Sequence, residues 1–300
     1  MALRSAVPAA SLDAPVRRRP RDPVWPRALT LALVTLAVLF PFWWMISLAF
    51  TPEGQSVSLI PAEPTVENFR IAVQAANLDT AFANSTLVTV VAVLTNCIVP
   101  VIAGYAFAHL PFRGSSIVFY GLLSTVAIPG SVTLIPLFLM AKNFPLAGGN
   151  DIFGSGGSGL LDSVGGLMLP YLVGTMNIFL SRQYFASMDR GFAEAARIDG
   201  AGELRIFAQI YLPMAKPLLA LVAVFSFTGV WDDFLWPLVV STSERSTTVQ
   251  LAITTFASSG DVKYGALMAA TILVTIPVLV VFLVNQRGFI SGLAEGGIKG

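Results

Sequence analysis

Cysteine and histidine are almost missing from this chain, with only Cys97 and His109 among its 300 residues. A single thiol excludes an intrachain disulfide and a cysteine-based zinc site, and a single imidazole excludes a histidine-cluster metal centre. Charge is scarce too. Asp, Glu, Lys and Arg make up 12% of the chain, about half of the roughly 25% usual in soluble domains. The net charge of +1 says nothing about nucleic acid, and no nucleic-acid partner is expected. The pattern G-x-x-x-x-G-K-[ST] occurs nowhere. The chain therefore lacks a phosphate-cradling loop and is not expected to bind or hydrolyse ATP itself. Clustered His, Cys or catalytic carboxylates are lacking as well, which argues against a membrane-embedded enzyme.

What the sequence has in excess is apolar length. Hydrophobic residues make up 55% of it, and the mean hydropathy is +0.75. Ala28 to Phe50 is a run of 23 residues without a charge, enough to cross about 30 Å of hydrocarbon as a helix. Further runs lie at about 84–108, 116–140, 164–181, 217–240 and 264–284, the fourth interrupted by Pro170, Gly174 and Asn177. The expected fold class is an all-α integral membrane protein, a six-helix transmembrane bundle over 28–300. Residues 1–27, rich in Pro, Ala and Arg, are expected to be a disordered cytoplasmic tail. Pro41, Pro100, Pro129, Pro136, Pro170, Pro237 and Pro277 fall inside the runs. Each would cost about 3 kcal/mol in a helix in water. In a bundle, neighbouring helices satisfy the freed carbonyls, so kinked spans are tolerated.

Lysine and arginine set the orientation. With six spans and the N-terminus inside, 14 of the 18 basic residues fall on inner segments; Arg70, Lys142, Arg245 and Lys263 alone fall outside. Both termini and the segment 182–216 are thereby expected in the cytoplasm, with the chain multi-pass in its membrane and in contact with lipid. The outer segment 141–163 contains Gly148-Gly149-Asn150 and a glycine-serine run at 154–159, and reads as a flexible loop.

One inner segment stands apart. From Arg182 to Lys216, 9 of 35 residues are charged, about twice the proportion of the whole chain. Phe192 to Ala201 are mostly good helix formers; Asp189 is placed to cap their start, and Gly200 and Gly202 to end or turn the helix. A second short helix is expected from about Glu203. Its Ile206, Phe207, Ile210 and Tyr211 recur on one apolar face; Leu212-Pro213 is expected to stop it, and Pro217 to begin the next span. Such a compact helix–turn–helix can transmit a rigid push, as a floppy loop cannot. Amphipathicity alone would equally suit an ordinary interfacial helix.

The residues of this segment go further. Glu194-Ala195-Ala196, Asp199-Gly200-Ala201, then Phe207, Ile210, Leu212-Pro213 and Pro217 resemble the EAA loop of ABC-importer permeases. The likeness extends to Asn84-Ser85, to Tyr105-Ala106-Phe107-Ala108-His109-Leu110 with Phe112-Arg113-Gly114, to Trp231 through Leu238, and to Gly292-Leu293 through Gly297-Ile298-Lys299-Gly300. Together these cover about residues 28–300 in order, and the chain is identified as a member of the maltose-type (MalG-like) carbohydrate ABC permeases. That resemblance implies a permease subunit carrying a sugar or related solute across the cytoplasmic membrane. It implies a MalF-like second permease subunit, an ATPase dimer and an extracytoplasmic solute-binding protein as partners, with no cofactor on this chain and ATP and Mg bound by the ATPase. Glu194, Ala195, Ala196, Asp199, Gly200, Ala201, Phe207, Ile210, Leu212 and Pro213 are then the expected ATPase-coupling residues, in the loop 189–213.

Asp232 and Asp233 are the only carboxylates inside an expected span. An ionised group there needs a cavity or a partner, and neighbouring helix positions diverge by roughly 100°, so both cannot face one point. With Trp231, Phe234 and Trp236, whose rings could stack on sugars, they form a candidate substrate pathway. A kinked helix with one carboxylate hydrogen-bonded would account for them equally well. The family usually has Asn at the position of Asp232 and a shorter loop at 141–163, which leaves the solute open. A permease for glycerol phosphate or peptide is the alternative within transport, and an ion-coupled secondary transporter the alternative outside it. The latter usually shows internal repeats and intramembrane ion sites, neither of which is found here.

Overall fold

A computed structural model describes residues 24–297 except 57, 111, 259 and 261. Most of the tail expected at 1–27, and the last residues of the C-terminal motif, lie outside the described residues. The chain divides into two compact units, one up to Trp44 and one from Met45 onward. The described part of the first is the body of one helix, α1 (Val24–Ala49), which contains Pro41. Its large apolar side chains from Leu29 to Trp44, Leu31 and Leu36 among them, are exposed, as suits a helix whose solvent is lipid.

The second unit is wholly helical, with no strand among the described residues. A short α2 (Glu67–Ala75) precedes α3 (Leu78–His109), a helix of 32 residues at the centre of the unit. Among the described residues, four helices are long and apolar enough to cross a membrane, or up to six when each bent pair counts as one span. The first bent pair is α4 (Ser115–Val126) with α5 (Gly130–Lys142), at 104°. The sequence suggests one run at 116–140; Pro129, which pushes the residue before it out of the helical region, sits at the break as the cap of α5. The run at 164–181 resolves into α6 (Val164–Met168), a 3-10 turn at Leu169–Tyr171 and α7 (Thr175–Ser187). The polar segment holds α8 (Gly191–Ile198), α9 (Glu203–Ile206) and α10 (Leu212–Met214), and after it come α11 (Lys216–Trp231), α12 (Leu235–Val240), α13 (Val249–Ala257) and α14 (Tyr264–Gly297).

Close packing of small residues holds the long helices together, as expected where lipid supplies no hydrophobic drive between them. Ala72, Ala81, Ala266, Ala269 and Ala270 are buried around Trp231 at one end of the bundle. Where α3 crosses α7, a Cβ added to Gly104 would lie 2.3 Å from Ser181 Cβ. At the polar end, Val101, Tyr105, Phe185, Ile206, Tyr211 and Val222 form a second core.

The glycine-rich segment corrects the expectation of a flexible loop. The Asn150 carboxamide is buried at its centre, donating to Lys142 O (2.8 Å) and Phe144 O (3.0 Å) and accepting from Gly157 N (2.7 Å). A Cβ at Gly154 would fall 2.0 Å from Asn143 O, and one at Gly157 2.2 Å from Gly148 O. Glycine here serves close backbone approach rather than freedom. Asp162 then clasps the loop to the segment after α12, accepting from Thr242 N (3.0 Å), Ser243 N (2.8 Å) and the Ser246 hydroxyl.

Candidate functional site

The polar segment is built as two helices around a glycine turn. At the start of α8 the Asp189 carboxylate accepts from Gly191 N at 2.9 Å. At its end Gly200 takes φ +80°. The Gly200 amide donates to Arg197 O (3.0 Å) and the Ala201 amide to Ala196 O (2.9 Å), closing the helix. No atom lies within 4 Å of a Cβ built on Gly200, so a side chain there would suffer from backbone strain rather than crowding.

α9 does not stop at Leu212-Pro213 as the sequence suggests. It passes through a π-helical turn, Phe207–Tyr211, into α10, and the axis bends by 77° only at Ala215. Pro213 follows directly on the π-helical turn, near the end of this continuous helix, and donates no N–H to it. The wide turn brings Ile206 and Tyr211 into the same core, both fully buried, with Phe207, Ile210 and Leu212 half-buried beside them. Pro217 opens α11 as expected.

The segment has two faces. Glu194, Ala195, Asp199 and Gly200 are exposed. Ala196 and Ala201 are half-buried and pack inward with the buried Ala193. Pro213 is exposed beyond the turn. Sequence reasoning passed over three apolar side chains on the outer face: Phe192, Ile198 (87% exposed) and Leu204 (83% exposed). Their signal was an apolar residue out of register with Ala193, Ala196 and Ile206.

Polar groups tie the two helices to α3. Glu203 Oε1 accepts from Arg197 Nε at 2.7 Å, and its other oxygen accepts from Tyr105 OH at 3.3 Å. The Arg197 hydrogen bond holds the Glu203 carboxyl below the usual carboxylate range. Tyr211 OH donates to Asp189 O (3.1 Å).

At the break between α11 and α12 the five candidate pathway residues part company. Trp231 is buried, stacks on Phe227 and donates from Nε1 to Val274 O (3.1 Å). Trp236 is buried elsewhere, with Nε1 donating to Gly166 O (3.1 Å). Asp233 accepts from Tyr171 OH and from Leu235 N (2.8 Å), and so fixes the start of α12. Asp232 is exposed, with Gln250 Nε2 at 3.5 Å, and Phe234 is half-buried. A second polar cluster lies between α3, α7 and α11. Asn96 donates to Tyr171 O (2.7 Å) and accepts from Gly174 N (2.8 Å) and Asn177 Nδ2 (2.9 Å), which also reaches Ser226 Oγ (3.0 Å). It satisfies the backbone freed at the break before α7. Asn177 was visible in the sequence as an interruption; Asn96 was not.

Comparison with known proteins now bears on this arrangement. The family model of the inner membrane component of binding-protein-dependent transport systems matches residues 100–293, from within α3 through the polar segment into α14. The chain belongs to this family. The permease is 32% identical over 276 residues to the diacetylchitobiose uptake system permease protein NgcG of Streptomyces coelicolor, covering 90% of this chain and 87% of that one. It is 31% identical to the lactose transport system permease protein LacG of Rhizobium radiobacter, over 95% of this chain and 98% of that one. It is 30% identical to the arabinooligosaccharides transport system permease protein AraQ of Halalkalibacterium halodurans, over 94% and 100%. A solved bacterial ABC transporter that imports the acidic polysaccharide alginate shares the permease's fold, with a TM-score of 0.76 at 24% identity over 88% of this chain and 95% of that one.

Proposed function

We propose that this permease is one of two membrane subunits of an ATP-driven importer for a sugar, with an oligosaccharide as the solute class. The observation that carries the reading is the outward face of α8 and its glycine turn, in a chain whose relatives bear the names of carbohydrate uptake systems. On this reading both termini and the polar segment face the cytoplasm. Glu194, Ala195, Asp199 and Gly200, flanked by Phe192, Ile198 and Leu204, enter a cleft of the partner ATPase. Ala196, Ala201, Phe207, Ile210, Leu212 and Pro213 support them from beneath and behind. ATP and Mg are held by the ATPase dimer, a second permease completes the pathway, and an extracytoplasmic binding protein delivers solute. Closure of the ATPases moves the docked segment and shifts the bundle between inward-open and outward-open states. Of the residues at the break in the fifth span, Asp232 and Phe234 have surface free to meet sugar, whereas Trp231, Asp233 and Trp236 hold the break in place.

The test is uptake in proteoliposomes containing the complete importer. Wild type should accumulate oligosaccharide with ATP and be blocked by vanadate. Ala195→Trp should lose ATPase co-purification and uptake while still pairing with the second permease. Asp232→Asn should assemble normally with a raised apparent KM. Vanadate-insensitive uptake, or full docking of Ala195→Trp, would sink the reading.

A further inference from the structure

The Glu203 carboxylate joins three helices at once. It is the first residue of α9; one oxygen takes Arg197 Nε from α8, and the other takes Tyr105 OH from α3. Tyr105 is 3% exposed. Its ring is clamped by His109, Phe185, Phe207 and Tyr211, with centroids 5.0 to 5.6 Å away, so its hydroxyl has one place to be.

Direct packing of α8 on α3 is interrupted here. A cavity of about 380 Å³ opens between them, lined by His109, Leu110, Arg190, Glu194, Arg197 and Glu203 among others. The bonds that span it are the Tyr105–Glu203–Arg197 chain and a long contact from Arg190 Nη2 to Ala108 O (3.5 Å). The covalent chain runs from α8 back to α7 and from α10 across the 77° bend to α11; α3 is 98 residues away from Glu203 along the sequence. A push on α8 therefore reaches α7 and α11 through the backbone; it reaches α3 through the close packing of α7 at Gly104 and also, directly, through this bridge and the aromatic cluster behind it.

We infer that Tyr105, Glu203 and Arg197 are positioning residues. They fix the angle between α8 and α9 and make the end of α3 move with the pair as one body during the transport cycle. The inference rests on the reading of α8 as the ATPase contact. An ion pair inside the turn suits this role, because it adds a directional tie between the two helices to the core packing of Ala193 and Ile206.

The test compares solute moved per ATP hydrolysed by the complete importer in proteoliposomes. Tyr105→Phe and Glu203→Gln should keep assembly and ATPase docking, yet lower that ratio about tenfold, within the usual span of coupling between linked sites. The double variant should be no worse than the poorer single one. A purely structural role would lower the melting temperature and the yield and leave the ratio unchanged. Should Tyr105→Phe fail to assemble, Arg197→Lys, on the exposed side of the bridge, reads the same ratio. An unchanged ratio in the assembled variants would overturn the inference. Absence of ATP-driven uptake by wild type would instead overturn the reading of function.

Discussion

Asp162 shows how much one side chain can organise. It adopts φ +55°, a region non-glycine residues seldom occupy, and its carboxylate collects two backbone amides and a hydroxyl from the segment after α12. Those bonds, the Ser246 hydroxyl first, lower its pKa from the ordinary carboxylate value to about 2. A group whose folded pKa lies below its unfolded value near 3.9 stabilises the fold above about pH 4 and loses that contribution as pH falls toward about 2. Asp162→Asn should therefore flatten the fall in melting temperature of the detergent-solubilised chain between about pH 5 and pH 2. Equal slopes for wild type and variant would show that the clasp contributes nothing.

Among the elements, the crossing of α3 and α7 has the least tolerance. Gly104→Val would drive a side chain into Ser181 and the backbone of Arg182, and overpacking of this kind typically costs about 1–3 kcal/mol. The expected outcome is a lower melting temperature and a poor yield of complex, whereas Gly229→Ala in α11, with nothing within 4 Å of its new methyl, should leave both unchanged. The helices themselves were legible in the sequence because the bilayer dictates apolar length and leaves a long run few other fates. The α8–α9 pair was legible through its charge, its caps and its apolar face. Its continuation past Pro213 was hidden, since the π-helical turn that carries it has no composition of its own. The breaks were only partly visible: Pro129 and Gly174 mark two, and the third, at Asp232–Phe234, was signalled by the paired carboxylates that a kinked helix accommodates, though by no glycine or proline at the break itself. The glycine loop was misread for a physical reason. Local composition reports backbone freedom, but whether that freedom is used for motion or for close approach depends on Asn150 and on the carbonyls of Lys142, Asn143 and Phe144.

For the whole molecule, the basic asymmetry makes orientation testable. In a Cys97→Ser background, cysteine at Ser56 or Phe153 should react with an impermeant thiol reagent added to intact cells, and cysteine at Ala195 only after the cytoplasmic side is opened. Phe153 suits this purpose because it is 83% exposed. Labelling of position 195 from outside would reverse the topology. Contacts across the bundle also set a timetable for its making. Asn84 in α3 donates to the carbonyls of Arg245 (2.8 Å) and Thr247 (3.0 Å), and Ser85 accepts from Val249 N (2.9 Å). The first of these partners lies 161 residues further along the chain, which a ribosome adding about 5–20 residues per second reaches roughly 8–30 s later. Through that interval α3 sits newly inserted with an amide awaiting carbonyls and a hydroxyl oxygen awaiting an N–H, none of them yet synthesised, so successful biogenesis depends on what shelters those groups from lipid while the second half of the chain is being made.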